Sequence, residues 1–156
     1  MKVKWKILIL CLIIVYLAAS VGSIFTGGSI GNGWYDSIKP SITPPNFVFP
    51  IVWNILFFLI ALSLYFSWIS AKSKNTKKSI AIVFGLNLFF NAFWSFVFFE
   101  MQNPVAAFYE IIVLLISIVS MLILTWRINK KSFYLLIPYF LWVCFAWFLN
   151  WMIAFS

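Results

Sequence analysis

Polar residues interrupt this chain at wide intervals. Between the interruptions lie five apolar runs, roughly 7–26, 47–70, 80–99, 104–126 and 133–155. Each holds about 20 residues or more, which at about 1.5 Å per residue spans a hydrocarbon core of about 30 Å. Barrel strands would alternate in blocks of about ten residues, so the runs predict helices. The fold class is therefore all-α: one polytopic domain over residues 1–156, a bundle of five transmembrane helices. Its first link, 27–46, is long for such a bundle.

Composition agrees with the pattern. Of the 156 residues, 65% are hydrophobic and 9% charged, against about 25% charged in a typical soluble domain. Such a chain cannot cover its surface against water. The first run has the Lys-rich start and small residues of a signal peptide, but its apolar stretch exceeds the usual 7–15 residues, so an uncleaved helix is expected.

The net charge of +8 sets topology and does not imply a nucleic-acid partner. Lys2, Lys4 and Lys6 precede the first run, Lys72, Lys74, Lys77 and Lys78 fill the link after the second, and Arg127, Lys130 and Lys131 fill the link after the fourth. Only Lys39 lies on the other side. The positive-inside rule makes the basic side cytoplasmic, with the N-terminus inside and the C-terminus and the 27–46 link outside, in a cell membrane. Membrane lipids are the expected partners of the basic side.

Missing residues exclude much chemistry. There is no histidine, and the acids are Asp36, Glu100 and Glu110. No histidine metal site, Ser-His-Asp triad or Cys-His nucleophile can be assembled, and no metal site is expected. Cys11 and Cys144 lie inside predicted helices without CxxC spacing and read as small buried hydrophobes. A single intramembrane acid, Glu110, is too few for an ion-coupled transport path.

Aromatic residues make up 22% of the chain, with nine tryptophans. Trp5, Trp68, Trp126 and Tyr134 fall at helix ends on the basic side, where amphipathic rings anchor, and Trp151 does the same at the other end. Others lie deeper. Asn87, Asn91 and Trp94 share one face of the third run. Tyr139, Trp142 and Ala146 share a stripe of the fifth, with Leu149 and Asn150 one turn further out. Trp53 and Asn54 in the second run and Glu110 in the fourth fall about two turns in from the same end. Interhelical hydrogen bonding alone accounts for Asn87, Asn91 or Glu110 taken singly, and Glu110 has Lys39 as a second candidate partner. Their accumulation with indoles in one half of the bilayer predicts a mostly apolar small-molecule cavity.

The 27–46 link fits a lid. TGGSIGNG is its flexible part, whereas Pro40, Pro44 and Pro45 stiffen WYDSIKPSITPP, and Trp34 and Tyr35 supply apolar area.

These residues carry a likeness. Trp34-Tyr35, Lys39-Pro40, Pro44-Pro45 and Val52-Trp53, followed by Asn91 with Trp94, Pro138-Tyr139 with Trp142, and Leu149-Asn150, closely resemble the tryptophan-rich sensory protein or translocator protein (TspO) family along the whole chain. The resemblance implies a five-helix membrane protein, commonly a homodimer, that binds protoporphyrin IX and, in the same pocket, isoquinoline carboxamide and benzodiazepine-type ligands. It implies no required cofactor. Some bacterial members are associated with photo-oxidative porphyrin breakdown, which needs light and O2, and by position Trp53 and Trp142 are the redox tryptophans. The ligand-binding set is then Trp34, Tyr35, Pro44, Trp53, Asn87, Asn91, Trp94, Glu110, Tyr139, Trp142 and Ala146. Passive transport of porphyrins or lipids, and stress sensing through a protein partner, are the competing readings. The cholesterol motif of animal members is missing, because LNWMIAFS lacks its tyrosine and basic residue. Ala146-Trp147 replaces two small polar residues and is expected to narrow one pocket wall. Without histidine, metal-free protoporphyrin is expected to bind at least as well as haem.

Overall fold

A computed structural model describes residues 3–27 and 33–156. Lys2 and most of the glycine-rich part of the link lie outside the described residues. Five long helices form the bundle: α1 (Trp5–Gly27), α3 (Val48–Ser70), α4 (Lys74–Ser95, continued by a π-helical turn Phe96–Glu100), α5 (Pro104–Ile128) and α6 (Lys130–Ala154). A short helix, α2 (Trp34–Ile38), precedes α3. All five long helices are long and apolar enough to cross a membrane. The expected all-helical membrane bundle is therefore what the chain forms.

Each long helix packs on two neighbours in the order α1–α3–α6–α5–α4 and back to α1. The core between them is aliphatic and aromatic, with Val15, Ile60, Ile80, Phe84, Ile118, Met121 and Leu136 fully buried. At the basic end α3 and α6 are tied by a reciprocal pair: Ser63 Oγ donates to the Ser132 carbonyl at 2.9 Å, and Ser132 Oγ to the Ser63 carbonyl at 3.0 Å. Both groups are buried, where an unpaired hydroxyl would be costly.

Three helices begin earlier than the apolar runs, α1 at Trp5 and two others behind polar caps. α4 starts at Lys74, because Ser73 accepts the Thr76 backbone N–H at 3.0 Å and caps it. α6 starts at Lys130, because Asn129 caps it through the Lys131 N–H at 2.9 Å. Hydropathy marks the membrane span, whereas caps mark the helix end. Asn129 also donates to Ser70 Oγ at 2.8 Å and so holds the α5–α6 turn against α3.

The 27–46 link is not wholly irregular. Gly33, at φ +89°, takes a left-handed conformation that only glycine adopts without cost, and α2 follows at once. The prolines come after α2, where Thr43 N–H donates to the Pro40 carbonyl and Val48 N–H to the Pro45 carbonyl. They close turns that lead into α3.

Candidate functional site

The seat of α2 is the π turn. Its wider backbone places Phe98 and Phe99 side by side, with ring centroids 4.9 Å apart. Tyr35 meets them edge-on at 6.1 and 5.7 Å, and Trp34 meets Phe98 at 5.7 Å. Tyr35 is thereby only 6% exposed. Burial, with the neighbouring Asp36 charge adding to it, pushes its phenol up to about 12. Behind it, Lys39 Nζ pairs with Asp36 and donates to Asn46 Oδ1 at 3.2 Å, while Asn46 Nδ2 donates to Asp36 at 3.2 Å. The Lys39 and Asn46 hydrogen bonds hold the Asp36 carboxyl below its usual range. Lys39 is thus engaged with Asp36 rather than Glu110.

Beneath α2 is a cavity of about 460 Å³, enclosed by α1, α2, α3, α4 and α6. That volume is within the range of small-molecule sites. Of the sequence-derived candidates, Tyr35, Trp53, Asn91, Trp94, Trp142 and Ala146 line it. Trp53 stacks on Phe57 at 5.4 Å and meets Tyr139 edge-on at 6.3 Å. Trp142 stands edge-on to Phe49 at 5.9 Å, and its indole N–H is buried without a partner among the described residues. Trp94 stacks on Phe98 at 5.0 Å and donates to Asn150 Oδ1 at 3.2 Å, and Asn150 donates in turn to the Pro104 carbonyl at 2.8 Å.

The other candidates lie just behind the wall. Tyr139 is fully buried; its hydroxyl donates to Asn87 Oδ1 at 3.2 Å and accepts from Asn91 Nδ2 at 3.0 Å. Asn87 continues the chain to Ser117 Oγ at 2.8 Å and ties α4 to α5. Trp34 and Pro44 belong to the lid but do not line the cavity. Glu110 is buried on α5, which contributes no lining residue, and both its carboxyl oxygens lack hydrogen-bond partners among the described residues. Trp147 does not line the wall: it stacks on Phe108 of α5 at 5.8 Å, so of this pair Ala146 alone faces the cavity.

The sequence reading missed the α1 wall. Tyr16, Ala19, Ser20, Gly22, Ser23 and Thr26 line the cavity. Their spacing by three and four residues was the available signal. Gly22 sits close to α4, where a β-carbon would meet Ser95 Oγ at 3.5 Å and Ala92 Cα at 3.7 Å. None of the described lining residues is charged. Among the described residues, no three His, Cys, Asp or Glu side chains come together in a way that could hold a metal ion.

The TspO/MBR family profile matches residues 9–155, nearly the whole chain. The chain belongs to the TspO/MBR family. Among its relatives in that family is the tryptophan-rich protein TspO of Archaeoglobus fulgidus, 35% identical over 147 residues that cover 94% of each chain. The protein of the same name from Chlorobaculum tepidum is 36% identical over 148 residues, 94% of this chain and 92% of the relative. The tryptophan-rich sensory protein of Cereibacter sphaeroides is 28% identical over 141 residues, 89% of this chain and 87% of its own. For this TspO/MBR member the family and the fold agree: a multi-pass membrane protein rich in tryptophan.

Proposed function

We propose that this protein binds a flat, largely apolar tetrapyrrole, protoporphyrin IX, in the cavity beneath α2 and promotes its light-dependent oxidative breakdown. The observation that carries the reading is the cavity itself: about 460 Å³, walled by Trp53, Trp94 and Trp142, with no charged side chain among the described lining residues. Indole faces supply stacking area for a macrocycle at little entropic cost. Isoquinoline carboxamide and benzodiazepine-type ligands fit the same walls.

Trp53 and Trp142 are proposed as the redox partners. Indole is the most readily oxidised of the cavity side chains, so a light-excited macrocycle draws an electron from it and passes that electron to dioxygen, giving superoxide. The indole radical cation then takes an electron back from the macrocycle, and the macrocycle radical cation combines with superoxide, so that one dioxygen is added to the ring and the indole is restored. Trp34, Tyr35, Pro44, Asn91, Trp94 and Ala146 hold the ligand or its lid, while Asn87, Tyr139 and Glu110 shape the wall from behind. Among the described residues no cysteine or methionine lines the cavity, so of these a haem iron would have Tyr16 or Tyr35 as side-chain ligands of the usual kinds. No cofactor is required. The cation distribution supports an α2 end outside the cell membrane, and a homodimer is the assembly proposed.

Absorbance and fluorescence of purified protein with protoporphyrin, first in darkness and then illuminated, test this. Saturable dark binding followed by accelerated loss of the Soret band is expected, with haem binding no tighter. Absence of dark binding, or much tighter haem binding with an axial-ligand spectrum, overturns it.

A further inference from the structure

Among the described residues, the exposed lining of the cavity lies on one side, and that side is not α2. Its solvent- or lipid-exposed lining residues are Ser20, Ser23 and Gly27 of α1 with Pro50 and Asn54 of α3, while every lining residue contributed by α2, α4 and α6 is buried or half-buried. The mouth is therefore the seam between α1 and α3. Tyr16 marks its floor, donating its hydroxyl across the seam to the Asn54 carbonyl at 3.2 Å. From Tyr16 to Gly27 the helix rises about 16 Å, close to half the hydrocarbon thickness. The gap thus lies beside acyl chains.

Its chemistry is unusual for a lipid-facing surface. Ser20, Ser23 and Thr26 each donate to a carbonyl one turn back on α1, at 2.8, 2.9 and 3.0 Å, and Asn54 Nδ2 donates to the Pro50 carbonyl at 2.8 Å. Their hydroxyl protons are spent, so they can sit in hydrocarbon, and their oxygens remain as acceptors. The lid side is the reverse. Tyr35 is wedged between Phe98 and Phe99, and the Asp36–Lys39–Asn46 knot fastens the segment behind it.

We propose that the ligand exchanges sideways, from the bilayer through the gap between α1 and α3, and not through the water-facing lid. This rests on the ligand-cavity reading above and adds the route. The gap admits a flat apolar molecule dissolved among acyl chains that presents N–H or O–H donors to the acceptor ladder of α1. It rejects one that must carry a charge through at depth.

A gate changes association and dissociation by the same factor and leaves the equilibrium constant alone. The experiment uses the full chain in liposomes, with protoporphyrin dissolved in the bilayer and, as a second probe, an uncharged lipophilic aromatic dye; association and release are followed by fluorescence. A graded series, Ser23→Ala, Ser23→Leu and Ser20→Phe with Ser23→Phe, fills the gap stepwise. Both association and release are expected to slow with side-chain volume, by roughly tenfold in the double variant, whereas mere loss of wall contacts at Ser20 and Ser23 would speed release. Asp36→Asn, which loosens the lid, is expected to change both rates less than about twofold. Normal binding with rates indifferent to the series, or rates that rise strongly in Asp36→Asn, overturns the lateral route and spares the cavity. Loss of binding of both probes by the unaltered protein overturns the cavity and the route together.

Discussion

Asn91 Nδ2 donates to the Tyr139 hydroxyl at 3.0 Å, and this bond turns a structural residue into a wall of the cavity. With its N–H committed to α6, Asn91 holds one orientation and Tyr139 stays fully buried behind it. Replacing Tyr139 by Phe removes two hydrogen bonds at once. At about 0.6 kcal/mol each in a membrane setting, the loss is about 1 kcal/mol and Tm falls by about 2–4 °C. Thermal unfolding in detergent measures it. An unchanged Tm would mean that Asn87 and Asn91 find other partners.

The two proposed redox indoles separate binding from chemistry. Trp53→Phe with Trp142→Phe keeps aromatic surface but removes the oxidisable ring. Illuminated decay of bound protoporphyrin should slow by roughly tenfold or more, while dark affinity moves less than about threefold. Equal decay in the double variant removes both tryptophans from the chemistry.

Ala146 is the small residue that leaves room. Ala146→Phe places a ring inside the cavity without disturbing the polar chain behind Tyr139. Protoporphyrin affinity is expected to drop by roughly tenfold or more, with Tm unchanged or raised. Trp147→Phe, on the outer face against Phe108, should leave affinity unaltered. A fluorescence titration of the two variants decides between them.

Docking of α2 has an alkaline limit. The Tyr35 phenol is held at about 12 against an ordinary value of 10.0. Its raised value favours the neutral, docked form, so the docking contribution is complete below pH 10 and is lost as pH rises from about 10 to 12. Asp36 works with the opposite sign. Its lowered value means that the Lys39 pairing is complete above the ordinary carboxylate value of 3.8 and weakens as pH falls below it. Limited proteolysis of the 33–47 segment across pH should show protection in the middle and cleavage at both edges. In Tyr35→Phe the alkaline edge should vanish and the acid edge persist.

The membrane bundle was legible because five apolar runs of sufficient length leave no other fold open to the chain. Trp53, Asn91, Trp94, Trp142 and Ala146 were legible because helical spacing collects them at one end. Three things were not. Helix starts at Lys74 and Lys130 are fixed by Ser73 and Asn129, short polar caps that hydropathy does not see. α2 is held by Tyr35 against Phe98 and Phe99, a tertiary contact that a glycine- and proline-flanked segment does not announce. On α1, the cavity wall is built largely from small residues. Ala19, Ser20 and Gly22 face the cavity there, and small side chains read alike in a cavity wall and at a helix contact.

The π turn at Phe96–Glu100 fits one more residue into its loop of backbone than an α-helix would. Excise a single residue there and the turn closes as an ordinary α-helical one, which removes the widened backbone that seats Phe98 and Phe99. Phe98 and Phe99 would then face elsewhere, and Tyr35 would have no socket. Chain length at this one spot is therefore a specification in its own right: a homologue one residue shorter between Trp94 and Pro104 must either roof its cavity by other means or leave it unroofed.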